Sequence, residues 1–132
     1  MRVAARVLLC SAILVILVAC ANEQSPADVV RSYMIAVETF DLHRAESLVC
    51  DAQRSRVAES LAPFLDVAGL SEAFQIGFKE LSFQERTRED DMVVFRVSGK
   101  LEMSFLGQKE EQTVDEEHVV VKQNGRWVVC DP

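Results

Sequence analysis

Few side chains in this sequence could carry chemistry, and His118 is the first of them. It follows Glu116 and Glu117, and a histidine beside a carboxylate can act as a general base. Adjacent residues of a strand point to opposite faces, so of the two acids only Glu116 shares a face with His118. Val114 and Val120 lie on that face too. The pattern predicts a partly exposed histidine among charges, so the sequence assigns no catalytic residue and keeps His118 only as a candidate.

The other polar residues with possible chemical roles have simpler structural explanations. His43 falls in the first turn of a predicted helix, where we expect a solvated side chain, and Asp41 is better explained as the N-cap of that helix. The acidic runs at 110–111 and 115–117 flank a predicted turn, which indicates a solvated hairpin. The sequence has no glycine-rich phosphate loop, no Ser-His-Asp order and no metal-carboxylate motif.

The first twenty residues have the pattern of an export signal. Two arginines precede an apolar run, and the segment ends in the letters LVAC, whose last residue is Cys20. This ending resembles the lipobox of bacterial lipoproteins, which reads Leu, a small or aliphatic residue, Ala or Gly, and then Cys. The resemblance implies cleavage before Cys20 and a thioether-linked diacylglycerol on its sulfur. Residues 1–19 are then a signal peptide, and residues 20–25 are the lipidated cysteine and a short linker.

Two other interpretations of this segment stay open. A transmembrane helix needs about 20 apolar residues, whereas the apolar run covers only residues 7–19 before a polar stretch begins. The residues around Cys20 also fit the small-x-small site of an ordinary secretory signal, whose cleavage would remove Cys20 and release a soluble protein. The lipobox accounts for both the leucine three positions before Cys20 and the polar linker that follows Cys20. We therefore expect a lipid-anchored protein on the extracytoplasmic face of the cell membrane.

Two cysteines remain once the signal and the lipidated residue are set aside, Cys50 and Cys130. In an exported domain such a pair indicates one disulfide, which in the chain-entropy model would stabilise the fold by about 4–5 kcal/mol. A metal site would need His43 and His118 as well. These four positions lack the short ligand spacings that are typical of zinc sites. We expect a disulfide, with no metal and no cofactor.

The charge of the chain limits its partners. Removal of residues 1–19 leaves 113 of 132 residues, which suits one domain, and changes the net charge from −7 to −9. Nucleic acids and anionic headgroups bind basic surfaces. The composition therefore argues against nucleic acid as a partner. The excess of acidic residues is explained by the solubility that a charged surface gives the domain.

Hydrophobic spacing predicts three helical segments in the first half of the domain. Ser25 and Pro26 form a strong helix start, with apolar residues at helical spacing as far as residue 40. Asp41 restarts a helix that ends near residue 49. A third segment covers 52–65, with Pro63 weakening its end.

The second half of the domain changes to the period of strands. Every odd position from 93 to 105 is apolar or glycine, which predicts a long half-buried strand, and Gly99 at its centre permits a bend or bulge. Further strands are predicted at 78–87, 112–123 and 126–131. The letters NG at 124–125 are a two-residue hairpin signal between the last two strands.

This order of elements resembles the nuclear transport factor two-like superfamily, the cone-shaped (cystatin-like) fold shared with ketosteroid isomerase and scytalone dehydratase. The likeness is greatest to its small uncharacterised bacterial lipoproteins. It is carried by the helical region 26–49, the strand 93–105 and the closing letters GRWVVCD at 125–131. It implies an α+β domain over 26–132, with N-terminal helices packed on a curved four-stranded antiparallel sheet, and it allows a homodimer.

The resemblance also implies a cavity between the helices and the sheet. Enzymes of this fold place Asp, Glu, His or Tyr there, whereas the long strand offers only aliphatic, Met and Phe side chains. We therefore expect a non-catalytic module that binds an apolar small ligand, or a protein partner, at the membrane. The alternative is a hydrolase, isomerase or dehydratase that acts on a small apolar substrate. The expected pocket residues are Tyr33, Phe95, Leu101, Met103 and Trp127.

Overall fold

The computed structural model describes residues 23–65 and 73–132. The predicted signal peptide at 1–19 and the predicted lipid attachment at Cys20 lie outside the described residues. Within the described part of the chain, no helix has the length and apolar character needed to cross a bilayer.

The helices occupy the first half of the described chain. They are α1 (Pro26–Glu38), α2 (Leu42–Ser47) and α3 (Arg54–Leu65), and a 3-10 turn over Asp51–Gln53 leads directly into α3. Both predicted caps are confirmed. The Ser25 hydroxyl accepts a hydrogen bond from the Asp28 amide at 3.2 Å, and the Asp41 carboxylate accepts one from the Arg44 amide at 3.0 Å.

The second half forms one antiparallel sheet with the strand order β1-β2-β3-β4. The strands are β1 (Phe74–Arg88), β2 (Met92–Phe105), β3 (Gln108–Gln123) and β4 (Arg126–Val129). Both β1 and β3 begin four residues earlier than the sequence predicts. For β3 the reason is the turn at 106–107, whose two residues both have positive φ and close a tight hairpin, so pairing extends to the strand ends.

Gly99 lies opposite an irregularity in β1, as the sequence predicts. The register between β1 and β2 shifts between Lys79 and Ser82, and Glu80 at that point has a φ of 54°. A Cβ atom on Gly99 would lie 2.8 Å from the Lys79 carbonyl oxygen. The close backbone approach therefore requires glycine in β2.

The core lies between the helices and the half of the sheet that they cover. Val93, Phe95 and Val97 of β2 are at most 4% exposed, whereas Phe105 at the other end of the same face is 51% exposed. There an aromatic end cluster of stacked and tilted rings closes the core, and its members are Phe40, Phe64, Phe74 and Phe105. The apolar face of β2 is thus buried only where helices pack on it.

A disulfide joins the helical layer to the end of the sheet. The sulfur atoms of Cys50 and Cys130 lie at bonding distance, as the sequence predicts. Two backbone hydrogen bonds next to the disulfide join the same segments: the Cys50 amide donates to the Val129 carbonyl at 2.9 Å, and the Val129 amide donates to the Leu48 carbonyl at 2.8 Å. The residues after β4 are therefore fixed against the turn that precedes α3.

Candidate functional site

His118 is buried on the inner face of β3, so the expectation of a partly exposed side chain is wrong. The residue is 6% exposed, although Glu116 two positions earlier on the same face is exposed. Distance along the strand does not explain the difference, because Val114 on the same face is also 6% exposed; His118 is the position that lies against Tyr33 of α1. The ring of Tyr33 from α1 packs against the imidazole edge, with 6.4 Å between ring centroids and an interplanar angle of 70°.

The imidazole of His118 is hydrogen-bonded to Asp131. Nδ1 lies 2.9 Å from Asp131 Oδ2, and because an ionised carboxylate can only accept, Nδ1 carries the hydrogen. The other carboxylate oxygen, Oδ1, accepts the amide of Val119 at 2.8 Å. Asp131 thus connects the side chain of one β3 residue to the backbone of the next, and it fixes the orientation of the ring.

The position of Asp131 is set by the segment that follows β4. The Cys130 amide donates to the Val119 carbonyl at 2.7 Å, and the disulfide ties Cys130 to Cys50. On the helical side, the Gln53 amide Nε2 donates to the backbone carbonyl of Asp131. These contacts hold the carboxylate in place independently of His118.

The second ring nitrogen of His118 has no hydrogen-bond partner among the described residues. Nε2 is buried, and the exposed carboxylate of Glu116 lies near it, with Oε2 at 3.7 Å. A histidine oriented by a carboxylate through Nδ1 has the arrangement of a general base at Nε2. In this conformation, however, a substrate cannot reach that nitrogen.

Tyr33 completes this polar cluster from the helical side. Burial raises the pKa of the Tyr33 hydroxyl, and the negative charges of Asp131 and Glu116 raise that pKa further. The phenol is therefore neutral at physiological pH and keeps a hydrogen that it can donate.

A cavity of about 290 Å³ opens beside this cluster, between α1, α3 and the segment after β4. Tyr33 and Asp131 line it, whereas His118 does not. Its wall combines aliphatic and polar side chains, and the lining residues are Tyr33, Val37, Gln53, Arg56, Val57, Ser60, Leu61 and Asp131. Small-molecule sites combine apolar surface with convergent polar groups, and the volume of this cavity is at their lower limit.

The five predicted pocket residues do not line a single site. Tyr33 lines the α1–α3 cavity, whereas Trp127 lines a separate depression beside Arg126. Phe95 is 4% exposed in the core, and Leu101 and Met103 are half-buried farther along β2 without lining the α1–α3 cavity.

Tyr33 is the one lining residue that the sequence predicted for a pocket; the polar residues Gln53, Arg56, Ser60 and Asp131 were absent from that prediction. One signal could have found two of them. Since Cys50 and Cys130 were predicted to pair, their chain neighbours Gln53 and Asp131 must lie close together. Arg56 follows one helical turn after Gln53.

The remaining candidates lie apart from the cavity. His43 is exposed on α2, and the acidic residues at 110–111 and 115–117 are exposed on β3. Among residues 23–65 and 73–132, no group of three or more potential ligands could hold a metal ion.

No family model matches the chain, and no curated protein matches it by sequence. Solved structures do resemble it. A ketosteroid isomerase-like protein from Erwinia carotovora atroseptica SCRI1043 has a TM-score of 0.59 at 14% identity, over 79% of this chain and 89% of that one. A SEC-C motif containing protein from Rhodopseudomonas palustris has a TM-score of 0.60 at 19% identity, over 87% and 83% respectively.

A third similar structure is a putative calcium/calmodulin dependent protein kinase II association domain from Xanthomonas campestris. Its TM-score is 0.52 at 17% identity, over 78% of this chain and 79% of that one. Identities this low bear on the fold alone. The helices followed by a curved four-stranded antiparallel sheet, together with these similar structures, show that the chain has the predicted α+β cone fold.

Proposed function

We propose that this chain is a membrane-anchored extracytoplasmic lipoprotein whose cone domain is a non-catalytic module that binds a small apolar ligand. The observation that carries the binding role is the α1–α3 cavity, where Val37, Val57 and Leu61 form an aliphatic wall next to polar groups. The domain would hold its ligand close to the membrane to which Cys20 attaches it.

The isolation of His118 supports a binding role over a catalytic one. Its only unpartnered nitrogen is buried and lies outside the cavity lining. Asp131 does line the cavity, but its two carboxylate oxygens already accept hydrogen bonds from His118 and Val119. The one carboxylate among the described lining residues is thus already used to orient His118 and to bind the β3 backbone.

A protein partner on the outer sheet face has less support. The cross-strand charges of that face pair with one another, and an ion pair that is already formed offers less to an incoming partner. The pairs join Lys79 to Glu102 at 2.7 Å, Arg96 to Asp115 at 2.7 Å, and Lys100 to Glu111 at 3.3 Å.

The lipid anchor rests on the lipobox, and two contacts of the linker are consistent with it. α1 is capped at Ser25, so only a few residues separate Cys20 from the fold. Glu23 pairs with Lys122 near the end of β3 at 2.9 Å. A diacylglycerol with a further acyl chain would hold such a domain stably at a bilayer, which a single chain does not.

Metabolic labelling with palmitate tests the anchor. We expect label on the exported wild-type chain, and we expect Cys20→Ser to abolish label and leave unprocessed precursor. Cys10→Ser is the matched control, since it changes a cysteine of the same segment without touching the lipobox. Normal maturation of the Cys20→Ser protein would contradict the proposal.

Filling the cavity tests the binding role. Ser60 lines the cavity but is exposed, so Ser60→Trp should occupy the space without damage to the core. Ser55→Trp is the control, because Ser55 is exposed on the same helix and does not line the cavity. We expect hexan-1-ol binding, measured by calorimetry, to be lost in the first variant only. Equal binding by both variants, or none by the wild type, would refute a ligand site here.

The second candidate function is a cone-fold hydrolase, isomerase or dehydratase. The specific observation in its favour is the carboxylate-oriented imidazole, with Asp131 Oδ2 at 2.9 Å from Nδ1 and the Tyr33 ring against its edge. A catalytic role for His118 requires a second conformation, in which its Nε2 is open to the substrate. If the chain turned over a small apolar substrate and His118→Ala left the rate unchanged, this candidate would fail in its histidine form.

A further inference from the structure

The first described residues are fastened to the end of the sheet where β3 meets β4. The Glu23 carboxylate pairs with the Lys122 ammonium at 2.9 Å, and the same ammonium lies over the Trp127 ring, 5.6 Å from its centroid. Glu23, Arg126 and Trp127 also line one depression. We call this part of the domain, formed by Glu23, Lys122, Arg126 and Trp127, the anchor end.

The chain between Cys20 and Glu23 is too short to let the anchor end move far from a lipid on Cys20. Three chain steps span at most about 11 Å. The headgroup layer on one side of a bilayer is about 5–8 Å thick, and a diacylglycerol on Cys20 would hold that residue at the inner edge of the layer. Glu23 would then lie at headgroup level or just above it.

Two residue types at the anchor end favour a membrane surface. Trp127 is only half-buried, and an indole combines an apolar body with an N–H donor, which suits the boundary between lipid and water. Arg126 is exposed, and a guanidinium can donate to lipid phosphate. The acidic turn between β1 and β2 lies at the same end, since the Lys122 amide donates to the Asp91 carbonyl at 2.9 Å. This mixture of charges suits a zwitterionic surface better than an anionic one.

The most exposed apolar residues lie at the opposite end of the sheet. Phe105 and Leu106, where β2 turns into β3, are 51% and 72% exposed. Since β3 has 16 residues, roughly 50 Å of strand separates that turn from the anchor end. The exposed acids at 110–111 and 115–117 lie between the two ends. Laying β3 on a bilayer would remove water from these carboxylates, which is unfavourable.

We propose that the anchor end is the surface through which the domain contacts a zwitterionic bilayer, with the Trp127 indole at headgroup level. This inference rests on the proposed lipid anchor and adds an orientation to it. The domain stands on the hairpin between β3 and β4, and the turn at 106–107 points away from the membrane.

Trp127 is the only tryptophan in the sequence, so its fluorescence reports on the anchor end without any substitution. The full lipoprotein is placed in phosphatidylcholine nanodiscs that carry a nitroxide either on the headgroup or at the middle of the acyl chain. Quenching is measured against unlabelled discs. We expect the headgroup nitroxide to quench Trp127 about twice as strongly as the mid-chain nitroxide, because an indole favours the headgroup level.

The matched control moves the single tryptophan to the opposite end of the sheet. The double variant Trp127→Phe with Phe105→Trp replaces one aromatic side chain with another at both positions, and position 105 is already exposed. We expect neither nitroxide to quench this variant appreciably.

The outcomes separate the orientation from the anchor. Stronger quenching in the double variant than in the wild type would show that the apolar turn contacts the bilayer, and it would overturn the proposal. If the wild-type chain stays on the discs but is not quenched, or is quenched more by the mid-chain nitroxide, the orientation fails and the anchor is retained. A chain that takes up no palmitate and does not stay on the discs would refute both.

Discussion

Replacing Asp131 with alanine should destabilise the fold by about 3 kcal/mol, far more than an ordinary surface substitution. The carboxylate makes two side-chain hydrogen bonds, at 2.9 Å to His118 Nδ1 and at 2.8 Å to the Val119 amide. Alanine removes both acceptors and leaves His118, which is 6% exposed, with neither ring nitrogen paired among the described residues.

The magnitude follows from these contacts. A hydrogen bond to a charged group contributes about 1.5–3 kcal/mol, and a buried polar group left unpaired costs about 1–3 kcal/mol. The Asp131 side chain is 28% exposed, so water can replace part of what is lost; the lower value then applies to each of the two hydrogen bonds, which gives about 3 kcal/mol in total. Asparagine keeps one oxygen for Val119, and its amide can donate to Nδ1 of the other imidazole tautomer, so Asp131→Asn should cost only about 1 kcal/mol.

Urea unfolding followed by the fluorescence of Trp127 measures these differences. The described domain is small enough for two-state analysis. Asp90→Ala is the control, because Asp90 is exposed in the turn between β1 and β2 and makes no side-chain hydrogen bond to a described residue. It should stay within about 0.5 kcal/mol of the wild type.

The relative free energies of unfolding of the three variants test whether the Asp131 carboxylate holds His118 in place. If Asp131→Ala cost less than about 1 kcal/mol, or if asparagine were as costly as alanine, the carboxylate would not hold His118 in place. The structural reason for calling Nε2 inaccessible would then be lost, and the catalytic candidate would gain support.

Three further predictions concern the bulge, the disulfide and the buried tyrosine. Gly99→Ala should cost about 1–3 kcal/mol in urea unfolding, because its Cβ would lie 2.8 Å from the Lys79 carbonyl oxygen; an unchanged midpoint would contradict that contact. Replacing Cys50 and Cys130 with serine should cost up to about 4.5 kcal/mol, given a sequence separation of 80; a thermal midpoint lowered by only a few degrees would show that the bridge adds little. The fold raises the pKa of Tyr33 above 10.0, so the stability that this shift contributes is complete below that pH and is lost as the pH rises through the folded-state value. Tyr33→Phe should therefore lose less stability than the wild type as the pH rises above 10.0, and equal losses would contradict the shift.

Local sequence signals predicted most of the fold correctly. The caps at Ser25 and Asp41 are side chains that bond the backbone three residues ahead, so they depend on nothing distant. The alternation along β2 and the hairpin at 124–125 are equally local. Gly99 indicated an irregularity because a missing side chain in a strand signals a close backbone approach.

The candidate site was much less predictable, because burial along one strand face depends on what packs over it. Alternation places Glu116 and His118 on the same face of β3, yet only His118 lies beneath Tyr33 of α1. No local pattern states where a helical layer ends across a sheet. The packing of Tyr33 against this one position turned a histidine expected among surface charges into a buried one.

By itself, the sequence determined the order of helices and strands, the pairing of Cys50 with Cys130, and the lipobox that motivates the membrane anchor. Each depends on residue type and spacing along the chain. Only the tertiary structure decided that Asp131 would bond His118 and that Arg56 and Tyr33 would line one cavity. The physical reason is that hydrogen bonds and cavity walls depend on distances of a few ångströms between elements far apart in sequence, which are set only when the helices pack on the sheet.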